Sequence, residues 1–332
     1  MTVIVDSHIP HIQGLIESFA LVEYLEPQDI TRDVVRDADA LVVRTRTRCD
    51  AALLDGSRVQ FIGSATIGTD HIDLDYCAAH GITVRNAPGC NAPAVAQWVF
   101  CAIAAWMRIQ DITAPKGLTL GVVGVGHIGS IVARWGRELG FTVLLNDPPR
   151  ACLEGDDSFL QLEELQHQCD IITFHTPLTH GGQWPTWHLC DQLFLDSLTR
   201  CRLLLNAARG PIADNAALLG WHGDIGLDCW ENEPKISRDL LDKAIVATPH
   251  IAGYSLEGKQ RGTAMMLEAL NEHFGWEIPI PAIARRATGA AQVTLDGLVA
   301  SYDILADTAR LKADAEAFES LRNHYPHRLE YQ

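Results

Sequence analysis

Gly124-Val125-Gly126-His127-Ile128-Gly129 stands between an apolar run, Leu118 to Val123, and an amphipathic stretch, Ile128 to Leu139. Glycines at this spacing between a strand and a helix leave few folds open. Gly124 permits a tight turn, Gly126 lets the backbone approach a pyrophosphate, and Gly129 lets helix and strand pack closely. The helix N-terminus then presents unpaired N–H groups and its positive dipole end to phosphates. Asp147 ends the next strand, 18 residues past Gly129, where a carboxylate accepts bonds from the ribose hydroxyls of NAD and repels the extra phosphate of NADP. Arg150 is the one cation nearby that would offset it.

The surrounding chain alternates short apolar runs with helical ones. Phe141 to Leu145, Asp170 to Phe174, Cys201 to Leu205, Ile225 to Asp228 and Ile245 to Ala247 read as strands after Leu118 to Val123. Six strands make a complete doubly wound unit. The first ninety or so residues repeat the pattern, with strands at Val3 to Val5, Ala40 to Val43, Val59 to Gly63 and Ile82 to Val84. Helices are predicted over Ile9 to Phe19 and Leu74 to His80. Such βα alternation predicts parallel sheets covered on both faces. Ala94 to Met107 holds one polar residue, Gln97, and is shorter than the roughly 20 residues that span a bilayer. It reads as a buried helix with Pro93 in its first turn. After Pro279-Ile280-Pro281 the composition shifts to an Ala- and charge-rich tail with a helix over Ile304 to Leu321.

A chain of 332 residues suits two domains and an appendage. A formal net charge of −16 argues against nucleic acid or an anionic membrane as partner. Nine scattered cysteines, without a Cys-x-x-Cys pair or clustered histidines, imply no metal centre. Their odd number, with no signal peptide, points to free thiols in the cytoplasm.

Three residues carry candidate chemistry: Arg209 in Asn206-Ala207-Ala208-Arg209-Gly210, Glu233 in Trp230-Glu231-Asn232-Glu233-Pro234, and His250 after Thr248-Pro249. Each falls at a strand-end loop downstream of the glycine turn. Removing hydride from a carbon that bears a hydroxyl requires a base with a pKa near working pH, and histidine fits. A carboxylate on its other ring nitrogen fixes the tautomer and stabilises the imidazolium. The planar fork of arginine matches a substrate carboxylate. Any one of 14 histidines is by itself an ordinary surface or core residue, and His71 and His175 are rival bases. Arg44, Arg46 and Arg48 share one face if their strand continues, and they are either a phosphate site or a solvated basic edge.

At these residues the chain resembles the D-isomer-specific 2-hydroxyacid dehydrogenases, from about residue 1 to 275. Asp147-Pro148-Pro149-Arg150, Pro88-Gly89-Cys90-Asn91-Ala92 and His250-Ile251-Ala252-Gly253-Tyr254-Ser255-Leu256-Glu257-Gly258-Lys259 are closer still to one branch. That branch oxidises 4-phospho-D-erythronate with NAD in pyridoxal 5'-phosphate biosynthesis. The resemblance implies catalytic roles for Arg209, Glu233 and His250. It implies NAD contacts at Asp147, Thr176, Ala207, Asp228 and Gly253, with His127 and Ile128 of the turn. It implies substrate contacts at Thr45, where the branch usually has serine, at Thr66 and at Tyr254, and Arg44 beside Thr45 joins them as the candidate phosphate reader.

The expected architecture is α/β, with two doubly wound parallel-sheet domains and a small C-terminal module. A flavodoxin-like substrate domain covers 1–92 and 254–279, a Rossmann NAD domain 93–253, and a dimerisation module, shorter than the branch normally carries, 280–332. The partner is a small phosphorylated 2-hydroxy acid, and the assembly a homodimer. Another D-2-hydroxyacid dehydrogenase, such as one for 3-phosphoglycerate, or an NAD-sensing binding protein of the same fold remains open at this point.

Overall fold

The computed structural model describes residues 1–283, 292–326 and 328–331, which divide into two compact units. The first holds Met1–Asn91 and the chain from Ser255 onward to residue 283. Its strands are β1 Thr2–Asp6, β2 Leu21–Leu25, β3 Ala40–Val43, β4 Phe61–Ser64 and β5 Thr83–Arg85. All pair in parallel, in the order β2-β1-β3-β4-β5. This is the flavodoxin-like doubly wound order. Every residue of β3 and β4 is buried, as a parallel sheet covered on both faces requires. The helix Leu256–Phe274 returns to this unit and packs Met266, Leu267 and Leu270 into the cluster around Phe61.

One expected helix is absent. Ile9 to Phe19 forms successive turns, with His11 at φ 60° and Gly14 at φ 87°. Two left-handed residues so close together break an α-helix, although Ile9, Ile12 and Ile16 still reach the core. Apolar spacing in this segment reports burial rather than helical period.

The second unit holds Ala92–Tyr254 and the described C-terminal residues. Its strands are β6 Thr119–Val123, β7 Thr142–Asn146, β8 Ile171–Phe174, β9 Leu203–Asn206, β10 Asp224–Leu227 and β11 Val246–Ala247. They pair in parallel in the order β11-β10-β9-β8-β6-β7, and Phe159 adds a single bridge to Leu145 outside β7. With that bridge as a vestigial third strand, the sheet has the Rossmann order, and its switch point lies between β6 and β8.

The Ala92–Ile109 helix runs through the core of this unit, with 14 of its 18 residues buried. By length and composition it could cross a membrane. Its buried side-chain N–H donors instead bond inside the protein: Trp98 Nε1 donates to Thr248 Oγ1 (2.9 Å), Trp106 Nε1 to Asp224 Oδ2 (2.9 Å) and Gln97 Nε2 to Ser301 Oγ (2.8 Å). The tail groups with this unit rather than standing alone, since Leu298, Tyr302 and Ile304 join the core around that helix. The single helix expected over Ile304 to Leu321 is divided into Ile304–Ala313 and Phe318–Asn323. Asp314 interrupts it by adopting an extended backbone and capping Ala317 N.

Candidate active site

The glycine turn is built as the spacing requires. Gly124 has φ 85°, and a Cβ on it would fall 2.8 Å from the His175 backbone, so the loops after β6 and β8 touch at the switch point. A Cβ on Gly129 would lie 2.0 Å from Gly124 O. At Gly126 a Cβ would meet nothing within 4 Å, and this residue caps the helix His127–Leu139 without a side-chain bond. No side chain caps the start of that helix, which leaves its first amides for an anion, as binding at a helix start needs. Thr176 Oγ1, across the switch point, is buried with no partner among the described residues. An orphaned hydroxyl beside an open glycine turn fits a bound dinucleotide, which would supply the missing bond.

Asp147 takes Val125 N on Oδ2 (2.7 Å) and Arg150 N on Oδ1 (3.1 Å), so its carboxylate stays at the tip of β7 beside the turn. Arg150 is engaged by Glu154 (2.7 Å) and Val125 O (2.5 Å) rather than standing ready for a second phosphate. His175 is shielded, with Nε2 3.0 Å from Thr173 Oγ1 and Nδ1 buried without a partner among the described residues. Burial pushes its pKa down from 6.5 to about 3, which removes it as a neutral-pH base.

Three loops beyond β9, β10 and β11 bring the catalytic candidates together. Arg209 follows β9, and the Asn206 amide braces its loop by donating to Arg209 O (2.8 Å) and accepting from Ala208 N (3.1 Å). Arg209 Nη1 donates to Ala208 O (2.8 Å). Glu233 lies in the loop after β10, where Oε1 accepts from Trp230 N (2.8 Å) and Oε2 lies 2.8 Å from His250 Nδ1. Burial pushes the Glu233 carboxyl up, but the charge and hydrogen bond of His250, the Trp230 amide and Arg322 outweigh it and hold the group below the usual range. An ionised Glu233 draws the proton to Nδ1, so Nε2 is left as the acceptor.

One supporting feature gave no clear signal in the sequence. A Cβ on Gly210 would fall 2.0 Å from Trp230 O, so only glycine lets the Arg209 loop lie flush against the Glu233 loop. Asp228, expected as an NAD contact, has its carboxylate engaged by the His250 loop: Oδ1 accepts from Thr248 Oγ1 (2.6 Å) and Ile251 N (2.8 Å), and Oδ2 from Ala252 N (2.9 Å). Ala207 and Gly253 sit in the loops after β9 and β11. Arg322 was also missed; it lies on the Phe318–Asn323 helix, and its Nε donates to Tyr254 Oη (3.2 Å).

The ligand atoms of Cys229, Glu233 and His250 lie within 4.8 Å of one another, as do those of His188, Asp214 and Glu231. In the first group Glu233 and His250 already bond each other, and burial, with Asp228 and Glu233, keeps the Cys229 thiol protonated. A cavity of about 420 Å³ lined by Pro249, Ile251, Ser320 and His324 includes none of Arg209, Glu233 or His250.

In the first unit, Arg44 Nε donates to the fully buried Asp6 (3.1 Å), and Arg48 to Asp50 (2.5 Å). β3 ends at Val43 and the chain turns, with Thr47 N on Arg44 O (3.4 Å), so the three arginines do not share a strand face. Thr45 lies in that turn. Thr66 Oγ1 is 2.9 Å from Ser64 Oγ, which is 3.3 Å from His71 Nε2. Lys259 is held below its usual pKa by burial and then by the charge of Arg44.

The family model for the D-isomer specific 2-hydroxyacid dehydrogenase NAD-binding domain matches residues 96–252. An erythronate-4-phosphate dehydrogenase from Bacteroides thetaiotaomicron is 43% identical over 99% of this chain and 97% of its own. One from Edwardsiella ictaluri is 42% identical over 100% and 93%. Among solved structures, D-lactate dehydrogenase from Aquifex aeolicus, complexed with NAD and lactic acid, matches with a TM-score of 0.69 at 27% identity, covering 82% of this chain and 95% of that one. NAD-bound 3-phosphoglycerate dehydrogenase from Entamoeba histolytica shares the fold with a TM-score of 0.68 at 21% identity, over 84% and 97%.

Proposed function

The chain belongs to the D-isomer-specific 2-hydroxyacid dehydrogenases, in company with erythronate-4-phosphate dehydrogenases, and on that premise we propose how its residues work. It is an NAD-dependent oxidoreductase. Its substrate is 4-phospho-D-erythronate, its product 2-oxo-3-hydroxy-4-phosphobutanoate, and the step serves pyridoxal 5'-phosphate biosynthesis. The observation that carries the mechanism is the 2.8 Å bond between Glu233 and His250 Nδ1.

NAD, when bound, accepts the hydride from C2. His250 Nε2 takes the proton of the C2 hydroxyl, and the Glu233 carboxylate stabilises the imidazolium that forms. Arg209 clamps the substrate carboxylate and polarises the reacting oxygen. In the reverse direction His250 returns the proton. Gly124, Gly126, His127, Ile128 and Gly129 hold the pyrophosphate, Asp147 the ribose, and Thr176, Ala207, Asp228 and Gly253 line the rest of the cofactor site. Arg44, Thr45, Thr66 and Tyr254 bind the acid. The first unit is the substrate domain in this reading, and the enzyme works as a cytoplasmic homodimer. Nine free cysteines support a reducing compartment.

Turnover of 4-phospho-D-erythronate, 3-phosphoglycerate and D-lactate with NAD tests the assignment. A kcat/KM for 3-phosphoglycerate or lactate equal to or above that for phosphoerythronate overturns the substrate.

A further inference from the structure

We propose that Arg322 reads the phosphate of the substrate. The proposal rests on the phosphorylated-acid reading above and names the residue that makes it specific.

Arg322 is carried by the Phe318–Asn323 helix, which Phe318 anchors in the core of the second unit. Its side chain is only 14% exposed. Nε donates to Tyr254 Oη at 3.2 Å, which fixes the plane of the guanidinium. Nη1 is 3.9 Å from the Glu319 carboxylate, too far for a hydrogen bond, and no terminal nitrogen of Arg322 finds an acceptor among the described residues. A guanidinium withdrawn from water with its fork unfilled is costly to keep unless an anion completes it.

The fork lies at the catalytic centre. Its Nε bond ties it to Tyr254, four residues after His250, and its charge helps hold the Glu233 carboxyl below the usual range. A simple 2-hydroxy acid has one anionic group, and the Arg209 clamp accounts for it. A second guanidinium calls for a second anion on the same ligand, and the planar fork matches two phosphate oxygens. Arg44, the candidate read from the sequence, has Nε committed to the buried Asp6, whose charge offsets its own.

The full chain, Arg322→Gln and Arg322→Lys are assayed with 4-phospho-D-erythronate and unphosphorylated D-erythronate, after thermal melts establish that each variant folds. Charged hydrogen bonds of this kind give an expected loss of about 10²-fold in kcat/KM for the phosphorylated acid, mainly through KM. The unphosphorylated acid should change by less than about 3-fold, and Arg322→Lys should recover part of the loss because charge returns without the fork. Equal losses on both acids, leaving their ratio at the wild-type value, overturn the proposal. A wild type that shows no preference for the phosphorylated acid overturns the substrate reading instead. Competitive inhibition by inorganic phosphate, relieved in Arg322→Gln, then still decides whether Arg322 holds a phosphate; inhibition unchanged in the variant excludes it.

Discussion

Asp228 holds His250 in a left-handed backbone conformation. The Asp228 carbonyl accepts His250 N at 2.8 Å, while its carboxylate gathers the Thr248 hydroxyl and the Ile251 and Ala252 amides. His250 sits at φ 57°, a region that costs a non-glycine residue on the order of 1 kcal/mol or more. The carboxylate thus turns the end of β11 so that the imidazole reaches Glu233.

Asp228→Asn keeps the shape but gives the loop one acceptor oxygen in place of two. At least one buried donor then faces an NH2 group, at a cost of about 1–3 kcal/mol. Urea unfolding should show that loss, and turnover should fall with it because His250 is no longer aimed. An unchanged urea midpoint would mean that the loop holds itself.

His250→Asn tests the base without adding backbone strain, since asparagine tolerates φ > 0. Turnover should drop by about 10²–10⁴-fold, the usual worth of a positioned acid–base. NAD affinity, followed by calorimetry, should persist, as the glycine turn and Asp147 are untouched. Near-normal turnover would return the role to His71, because burial disqualifies His175.

The two parallel sheets and the strand-end placement of Arg209, Glu233 and His250, the proposed catalytic residues, were legible in the sequence because each rests on local pattern. Apolar runs with helices between them force covered parallel strands, and Arg209, Glu233 and His250 each follow a strand. What could not be read was tertiary. Nothing in Gly210 by itself says that its missing Cβ makes room for Trp230 O. Nothing in Arg322 says that it reaches Tyr254, 68 residues earlier. The turns over Ile9 to Phe19 were misread because turns that bury isoleucines at positions 9, 12 and 16 mimic a helical face.

Gly210→Ala should therefore behave as a catalytic lesion outside the trio. Its Cβ would enter at 2.0 Å from Trp230 O and 2.6 Å from Glu231 N, which are backbone atoms and cannot rotate away. The Arg209 and Glu233 loops must separate, and a displacement of about 1 Å can cost about 10²-fold in rate. Stopped turnover assays on a variant whose far-ultraviolet spectrum is native would show it. Wild-type kcat in that variant would refute the coupling of the two loops.

On the proposed assignment, Asp147→Ala removes a ribose acceptor and a charge that repels the NADP phosphate, so the ratio of NAD to NADP efficiency should narrow. Arg150 will not supply a large NADP gain, because Glu154 and Val125 O engage its guanidinium. An unchanged ratio would show that discrimination lies elsewhere.

His175 makes stability depend on pH in a window that Glu233 does not share. Burial holds the imidazole neutral in the folded chain, with its pKa lowered from 6.5 to about 3. The unfolded chain takes up a proton below pH 6.5 that the folded chain refuses, so the stabilisation is complete above that value and drains away as pH falls toward 3. The limiting slope is about 1.4 kcal/mol per pH unit. Glu233, whose pKa is lowered from 4.5, also loses its contribution on acidification, but only below the ordinary carboxylate value. His273, likewise lowered by burial and then by Arg85, acts in the same direction and is common to wild type and variant. Urea unfolding of the protein without cofactor, at intervals from pH 7 to 5, should give a shallower fall for His175→Gln than for wild type. Whatever the substitution costs at pH 7 cancels in that comparison of slopes. Parallel lines across the window would mean that His175 takes its proton in the folded state, which would restore it as a candidate base beside the switch point.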